Sequence, residues 1–165
     1  MTTIALIACS SRKHPDARRR ALPARALYTG QLLRAAWEYA VVALGLPESN
    51  IFVLSAKHGL VGSGCLLRWY DDMLTMQCKG RRQIWAGKVV AQLQARFDLA
   101  AVTVYVLAGR DYREFLVPAL TAQGADVRLP MPPGLGYAKQ VGWLKALAAS
   151  VHGGESTLDK LRSLR

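Results

Sequence analysis

The sequence predicts an α/β fold, a three-layer sandwich whose mainly parallel central sheet of about four strands is covered by helices on both faces. Short apolar runs rich in β-branched residues alternate along the chain with longer segments of helical periodicity. The 165 residues are 52% hydrophobic and 20% charged, which is typical of a globular domain with a sizeable core. We therefore expect a single α/β domain over residues 1–150, followed by a hinge and a short helical tail over residues 151–165.

Four short segments predict the strands of this sheet. The first two, Ile4–Cys9 and Ile51–Leu54, are continuously apolar, and the third, Val102–Ala108, is nearly so. Continuous apolar runs of this length are typical of strands that are buried on both faces. Asp126–Leu129 is predicted to be a short fourth strand.

Four longer segments predict the covering helices. They are Leu27–Gly45, Lys79–Phe97, Arg113–Gln123 and Tyr137–Ser150, and Pro118 is expected to kink or end the third one early. The tail over 156–165 has leucines at helical spacing and is expected to form a small helix after the hinge Gly153-Gly154.

The segment Asp16–Arg25 contains four arginines in ten residues, and Pro23 argues against a helix there. We expect a basic loop that contacts phosphate groups, because clustered guanidinium groups repel one another without an anion. A solvated connector is the alternative interpretation.

The charge of the chain points to a polyanionic partner. Twenty-two Lys and Arg residues against eleven Asp and Glu residues give a formal net charge of +11. An excess of this size in one small domain favours nucleic acid as the partner, because phosphate binding by cations releases counterions. A basic surface that serves only solubility is the alternative.

The apolar runs and the cysteines restrict the class of protein further. No apolar run is long enough to cross a bilayer, and the N-terminus lacks the pattern of a secretion signal, so a cytoplasmic protein without membrane contact is expected. Cys9, Cys65 and Cys78 form no CxxC pair, so neither a zinc ribbon nor a redox dithiol is indicated.

Polar groups follow each predicted strand. These segments are Ser10–Lys13, Ser55–His58, Gly109–Tyr112 and Pro130–Gly136. Crossover connections return parallel strands in one direction, so all four exits should lie at the same edge of the sheet, where open α/β sheets bind ligands. The sequence therefore predicts one cleft lined by basic and hydroxyl groups, with Asp71 or Asp72 on its rim; solvated loops are the alternative.

Three elements of the chain, taken together, carry a resemblance to known proteins: Ile7–Lys13, Leu27–Gly30, and Leu54–Leu60 with Tyr70–Leu74. They resemble an uncharacterised bacterial domain family that is distantly similar to the peroxide-stress proteins of the YaaA type. The element from Cys9-Ser10 to Lys13 is also similar to the Pro-Cys-Ser motif in the catalytic domain of archaeosine synthases. The resemblance implies a uracil-DNA-glycosylase-like α/β sheet, a role in handling DNA or nucleobases, and neither a metal nor another cofactor.

The activity that this resemblance favours is a DNA glycosylase that excises a modified or damaged base. Asp71 would stabilise the positive charge on the sugar and orient water, with Asp72 or Asp111 as substitutes. His58 or Lys57 would hydrogen-bond the departing base, where negative charge grows. A covalent Schiff base on Lys57 is a less favoured variant.

The remaining site residues are expected to bind the DNA itself, a duplex with one base flipped out. Base-binding residues are Cys9, Ser10, Tyr28, Ser55, Tyr70 and Tyr112, and Trp69 is a further stacking residue. Phosphate-binding residues are Arg12, Lys13, Arg18, Arg19, Arg20 and, beside the Gly134-Leu135-Gly136 loop, Lys139. Two alternatives stay open: a non-catalytic DNA-binding stress protein of the YaaA kind, and a hydrolase or transferase acting on free nucleotides.

Overall fold

A computed structural model describes residues 1–151, and the predicted hinge and tail helix over 152–165 lie outside the described residues. The strands are β1 (Thr2–Ala8), β2 (Leu22–Pro23), β3 (Ile51–Ser55), β4 (Gly59–Gly62), β5 (Leu66–Leu67), β6 (Val102–Leu107) and β7 (Asp126–Arg128). The α-helices are α1 (Ala24–Leu27), α2 (Gln31–Glu38), α3 (Lys79–Gln94), α4 (Arg110–Ala122) and α5 (Tyr137–Ser150).

The main sheet has five strands in the order β4-β3-β1-β6-β7, and a separate two-stranded sheet pairs β2 with β5. Strand β1 lies at the centre, where Ala5 pairs with Ile51 of β3 and Thr2 pairs with Val102 of β6, both in parallel. The predicted α/β fold with a mainly parallel sheet is therefore confirmed. Because β1, β3 and β6 are parallel, their carboxyl ends meet at one edge.

The fifth strand, β4, was not predicted, because Gly59–Gly62 contains two glycines and directly follows β3. It folds back antiparallel to β3, which makes the sheet mixed. Gly59 makes this turn with a φ of +75°, a backbone conformation that glycine adopts readily. Gln92 of α3 stabilises the hairpin, since its side chain accepts a hydrogen bond from the Leu60 amide and donates one to the His58 carbonyl.

Helices cover both faces of the sheet, as consecutive residues of β1 make clear. Ile4 and Leu6 point into a core formed with α3 and α4, whereas Ala5 and Ile7 point into a core formed with α2 and α5. All four side chains are completely buried, which explains why the strand is apolar on both sides.

The predicted helix over Leu27–Gly45 is wrong at both ends. Leu27 ends the short helix α1, the chain is extended around Tyr28, and α2 begins only at Gln31. After Glu38 the helix widens into a π-helical turn over Tyr39–Ala43. The break has a tertiary cause, because the Tyr28 side chain turns into the core and is 2% exposed.

Other helix and strand boundaries also differ from the prediction. Helix α4 begins at Arg110, before the predicted Arg113, and it continues through Pro118 to Ala122, so the proline does not end it early. Helix α3 ends at Gln94 where Phe97 was expected, and β7 ends at Arg128 where Leu129 was expected.

The segment Asp16–Arg25 is not the basic loop that was predicted. It contains a 3₁₀ turn over Pro15–Arg18, strand β2 and the start of α1. Two of its guanidinium groups have carboxylate partners: Arg20 lies 3.3 Å from Asp16 and Arg25 lies 2.7 Å from Glu48. Arg20 and Arg25 therefore have carboxylate partners within the protein and need no external anion.

None of the helices that the structure describes is both long enough and apolar enough to cross a lipid bilayer.

Candidate active site

A cleft of about 320 Å³ opens where β1 and β6 end. Its walls come from Cys9–Ser11 after β1, from Gly109–Tyr112 after β6, and from Tyr137 and Gln140 in the first turn of α5. Asp72 completes the wall. Two of the four predicted strand exits, Ser10–Lys13 and Gly109–Tyr112, thus meet in one cleft, together with the start of the helix that follows the fourth exit, Pro130–Gly136.

A second pocket of about 410 Å³ adjoins the cleft and shares the wall segment Cys9–Ser11 with it. Tyr137 lines both cavities, is 56% exposed, and its hydroxyl accepts a hydrogen bond of 3.2 Å from the Leu32 amide. An exposed aromatic ring fixed in this way is suited to stacking against a planar ligand. Tyr137 was not among the predicted site residues, because the Gly134-Leu135-Gly136 loop before it and Lys139 after it indicate phosphate binding and not stacking.

The Ser10 side chain connects the segment after β1 to the residue that precedes α2. Its hydroxyl donates to the Arg12 carbonyl at 2.6 Å and accepts from the Gly30 amide at 3.1 Å. A Cβ atom at Gly30 would collide with the Ser10 side chain, so the close approach of the two segments requires glycine at that position. The start of α2 is therefore fixed against the exit of β1.

The carboxylates of the region differ in their relation to the cleft. Asp72 is half-buried, lines the cleft, and accepts a hydrogen bond of 2.9 Å from the Gln77 side chain. Asp111 also lines the cleft, but Arg82 lies 3.5 Å from it. Asp71, the carboxylate favoured from the sequence, is exposed and lies outside the cleft lining. The geometry therefore favours Asp72.

Three hydroxyl groups form a buried chain near the cleft. The Tyr70 hydroxyl lies 2.7 Å from Ser55 Oγ and 2.5 Å from the Tyr28 hydroxyl, and Ser55 Oγ also accepts a hydrogen bond from the His58 amide. Burial raises the pKa of Tyr28 to about 12 and also raises the pKa of Tyr70. These three side chains, predicted to bind a base, lie in the protein interior and do not line the cleft.

Lys13 is 8% exposed and is enclosed by aromatic rings. Its Nζ atom lies 4.5 Å from the centre of the Tyr70 ring, 5.9 Å from Tyr28 and 5.7 Å from Trp69. Burial lowers the pKa of Lys13, while the charges of Cys9, Asp71 and Asp72 act in the opposite direction. Lys13, which was predicted to bind phosphate, is thus a buried lysine near the carboxylates.

Cys9 connects the cleft wall to the interior. Its sulfur lies 3.2 Å from the Tyr112 hydroxyl, and burial raises the pKa of Tyr112. The Tyr112 ring packs edge-on against Trp85 at 5.6 Å, and the Trp85 indole donates a hydrogen bond of 2.8 Å to the Ser55 carbonyl. The exits of β1, β3 and β6 are therefore linked through these side chains.

The remaining predicted residues surround the site without lining the cleft. His58 packs edge-on against Tyr70 at 5.2 Å, and burial lowers the pKa of His58, with Lys57 and Lys88 adding to the shift. Lys57 is exposed, with Nζ 5.8 Å from the Tyr70 ring.

The predicted phosphate-binding residues are spread over the surface around the site. Arg12 lines the adjoining pocket, and the Arg18 guanidinium stacks on Trp69 at 4.1 Å. Arg19, Arg20 and Lys139 are exposed. Among residues 1–151, no group of three or more His, Cys, Asp or Glu side chains is placed to hold a metal ion.

A family model described as "Family of unknown function (DUF6884)" matches residues 4–146. This range includes every segment that lines the cleft. No curated protein matches the chain significantly.

Proposed function

Because the chain belongs to the family DUF6884, whose function is unknown, we propose its activity from the site: hydrolysis of the N-glycosidic bond of a modified or damaged base in DNA. The observation that carries this proposal is the position of Asp72. Its carboxylate is half-buried, is oriented by Gln77, and lines a cleft whose lining also includes the exposed ring of Tyr137. A carboxylate beside an aromatic platform suits a reaction that develops positive charge on a sugar.

We also propose that the fold is of the uracil-DNA-glycosylase type, and that the family is distantly related to YaaA-type proteins and to the archaeosine synthase domain. The segments that carry this resemblance contact one another in the structure. Lys13 forms a β-bridge with Tyr28, Tyr28 contacts Tyr70, and Tyr70 contacts Ser55. Contact among the three motifs supports a shared structural role for them.

In the proposed reaction the bond from the sugar C1′ to the base nitrogen breaks, and the electron pair of this bond leaves with the base. Water forms the new bond to C1′, its proton passes to the Asp72 carboxylate, and the departing base takes a proton from solvent. Asp72 thus stabilises the cationic sugar first and accepts the proton afterwards. The products are the free base and an abasic site.

Binding of the base is proposed to use the ring of Tyr137 as a stacking surface. Ser11, an exposed residue that also lines the cleft, offers a hydroxyl for the edge of the base. Arg12 in the adjoining pocket and Arg110 at the cleft supply cations for the flanking phosphates. The formal net charge of +11 increases the rate of encounter with DNA in a way that depends on salt.

The test is base release from a panel of duplex oligonucleotides, each with one uracil, hypoxanthine or alkylated purine. Abasic sites are scored as alkali-labile breaks. We expect Asp72→Asn to lower the rate by about a hundredfold or more, because the carboxylate acts in the transition state. Duplex affinity, measured by fluorescence anisotropy, should be retained.

The matched control is Asp71→Asn, which removes the same charge from the adjacent, exposed position. We expect it to change the rate much less than Asp72→Asn does. Equal rates in the Asp72→Asn variant and the wild type would remove Asp72 from the mechanism.

Two alternative functions give different results in the same experiment. Tight duplex binding without base release on any probe would favour a binding protein of the YaaA kind. Equal activity on free nucleosides or nucleotides would favour a small-molecule enzyme, and one observation supports that alternative: the cleft volume of about 320 Å³ is at the lower end of the range for small-ligand sites.

A further inference from the structure

A groove of about 810 Å³ lies beside the cleft, and the reaction proposed above does not use it. It is formed where three helices begin: Lys79 and Arg82 come from α3, Arg110 and Arg113 come from α4, and the loop 134–136 precedes α5. Arg110 and Gln140 line both the groove and the cleft, so the two cavities are adjacent parts of one surface.

The lining of the groove is strongly basic. Its charged groups are four cations and one carboxylate, Glu114. Glu114 lies 2.9 Å from Arg82 and 4.0 Å from Lys79, so its charge is already compensated. The Arg113 guanidinium donates a hydrogen bond of 3.2 Å to the Met131 carbonyl, which orients it, and Arg110 is exposed. A net positive charge therefore faces the groove.

The uncharged lining residues indicate that the groove binds the backbone of a nucleic acid and not its bases. The apolar surface comes from aliphatic and proline side chains, including Val117 and Leu135, and none of the described lining residues is aromatic. Grooves that bind bases of a single strand use aromatic rings for stacking, whereas backbone contacts need only cations and amides. The first turn of α5 contains no acidic residue, so the positive end of its dipole adds to the same field.

We propose that this groove binds the phosphodiester backbone of a DNA strand next to the base that occupies the cleft. The proposal rests on the proposed function, because it takes the cleft as the site of the base. It identifies the substrate as a polynucleotide: a free nucleotide would fill the cleft and leave the basic groove without a ligand. The phosphates adjacent to an extruded base follow the strand out of the cleft past Arg110 into the groove.

The test compares two double variants that remove the same charge from different places. Lys79→Gln with Arg113→Gln removes two cations that line the groove and do not line the cleft. Arg34→Gln with Arg81→Gln removes two exposed cations of α2 and α3 that line neither. Thermal unfolding of each variant checks that it is folded. If the groove double variant does not fold, the single variant Lys79→Gln replaces it, because the Lys79 side chain is exposed.

The readout is the affinity for a fluorescein-labelled single strand of about 12 nucleotides, and for the duplex of the same length, over a series of salt concentrations. We expect the groove variant to weaken binding of the single strand about tenfold at low salt, and the control variant to weaken it much less. The slope of log affinity against log salt should fall by about 0.7 for each phosphate group that the groove variant no longer binds. A deoxynucleoside monophosphate competitor should inhibit both variants equally.

Equal loss of single-strand affinity in the two double variants would overturn the proposal that the groove binds the strand, because overall charge would then explain the weaker binding. Unchanged binding in the groove variant would overturn it as well. The proposed function is tested separately by base release. If no probe loses its base but the groove variant still loses strand binding selectively, the glycosylase proposal fails and the polynucleotide-binding groove is supported.

Discussion

The hydroxyl group of Tyr70 has two hydrogen-bonding partners in the interior, Ser55 and Tyr28. Tyr70→Phe would leave the Tyr28 hydroxyl without this partner at a side chain that is 2% exposed. A buried polar group that loses its partner costs about 1–3 kcal/mol, so we expect the free energy of unfolding to fall by roughly that amount. Urea denaturation of the variant and the wild type measures the difference.

Tyr105→Phe is the control for this prediction, because it removes a hydroxyl from a half-buried tyrosine on β6. We expect it to lower the free energy of unfolding by less than about 1 kcal/mol. A decrease in Tyr70→Phe no greater than in the control would show that the buried hydroxyl chain contributes little to stability.

At the level of single residues, the sequence indicated the region of the site but not which side chains face the cleft. Asp71 and Asp72 are adjacent, and only the packing of the Tyr70–Leu74 segment decides that Asp72 faces the cleft. Ser55 is polar at the end of a strand, which predicts a surface position equally well. Its burial depends on Tyr70, fifteen residues away in the chain.

The β3–β4 hairpin makes a prediction at the level of elements. Gly59 has a φ of +75°, and a Cβ atom there would collide with the Gln92 side chain that stabilises the hairpin. We expect Gly59→Ala to lower the free energy of unfolding by about 1–3 kcal/mol, because both the backbone and the packing against Gln92 are strained. Chemical denaturation measures the decrease.

Gly62→Ala is the matched control at the other end of β4, since a Cβ atom at Gly62 would meet no atom within 4 Å and its φ is not positive. It should change stability by less than about 1 kcal/mol. Equal effects of the two substitutions would contradict the role given to the turn at Gly59.

The elements that were predicted best are those that hydrophobic burial alone determines. The apolar strands β1, β3 and β6, and helix α5 from Tyr137 to Ser150, follow directly from the sequence. Helix α1 and strand β4 could not be predicted, since four residues carry little periodicity and tertiary contacts decide their conformation. The break at Tyr28 is of the same kind.

The pH dependence of stability is a property of the whole molecule. The pKa of Tyr28 is raised from 10.0 to about 12, and those of Tyr70 and Tyr112 are raised as well. Between these pH values the unfolded chain loses tyrosine protons that the folded protein retains. The stability that Tyr28 contributes is therefore complete below about pH 10 and is lost as the pH rises through about 12, and the raised pKa values of Tyr70 and Tyr112 act in the same direction.

Lys13 changes the stability in the opposite direction, because its pKa is lowered from 10.5 in the folded protein. Above about pH 10.5 its amine is largely neutral in both the folded and the unfolded state, so Lys13 no longer affects the slope there. We therefore expect the free energy of unfolding to fall from about pH 10.5 to about pH 12. Urea denaturation at several pH values measures the slope, and Tyr28→Phe should make it shallower. The same slope in that variant would contradict the assignment to Tyr28.

For the molecule as a whole, the alternation of strands and helices was enough to predict a mainly parallel sheet and a cleft at its carboxyl edge. The basic groove was not predicted, because it brings together Lys79, Arg110 and Gly134 from the starts of three different helices. No single stretch of the sequence contains that pattern. Only the arrangement of the helices around the sheet creates it.

The central position of β1 has a consequence for how the protein is made. Thr2 pairs with Val102, so one side of β1 finds its partner only after the ribosome has translated 100 further residues. Until then the hairpin β3–β4 can cover one side of β1, while the other side exposes backbone amides and carbonyls. Long-range pairing of this kind slows folding and gives nascent chains time to associate wrongly. Strand β1 thus precedes both of its partners in the chain and is among the last strands of the sheet to be completed.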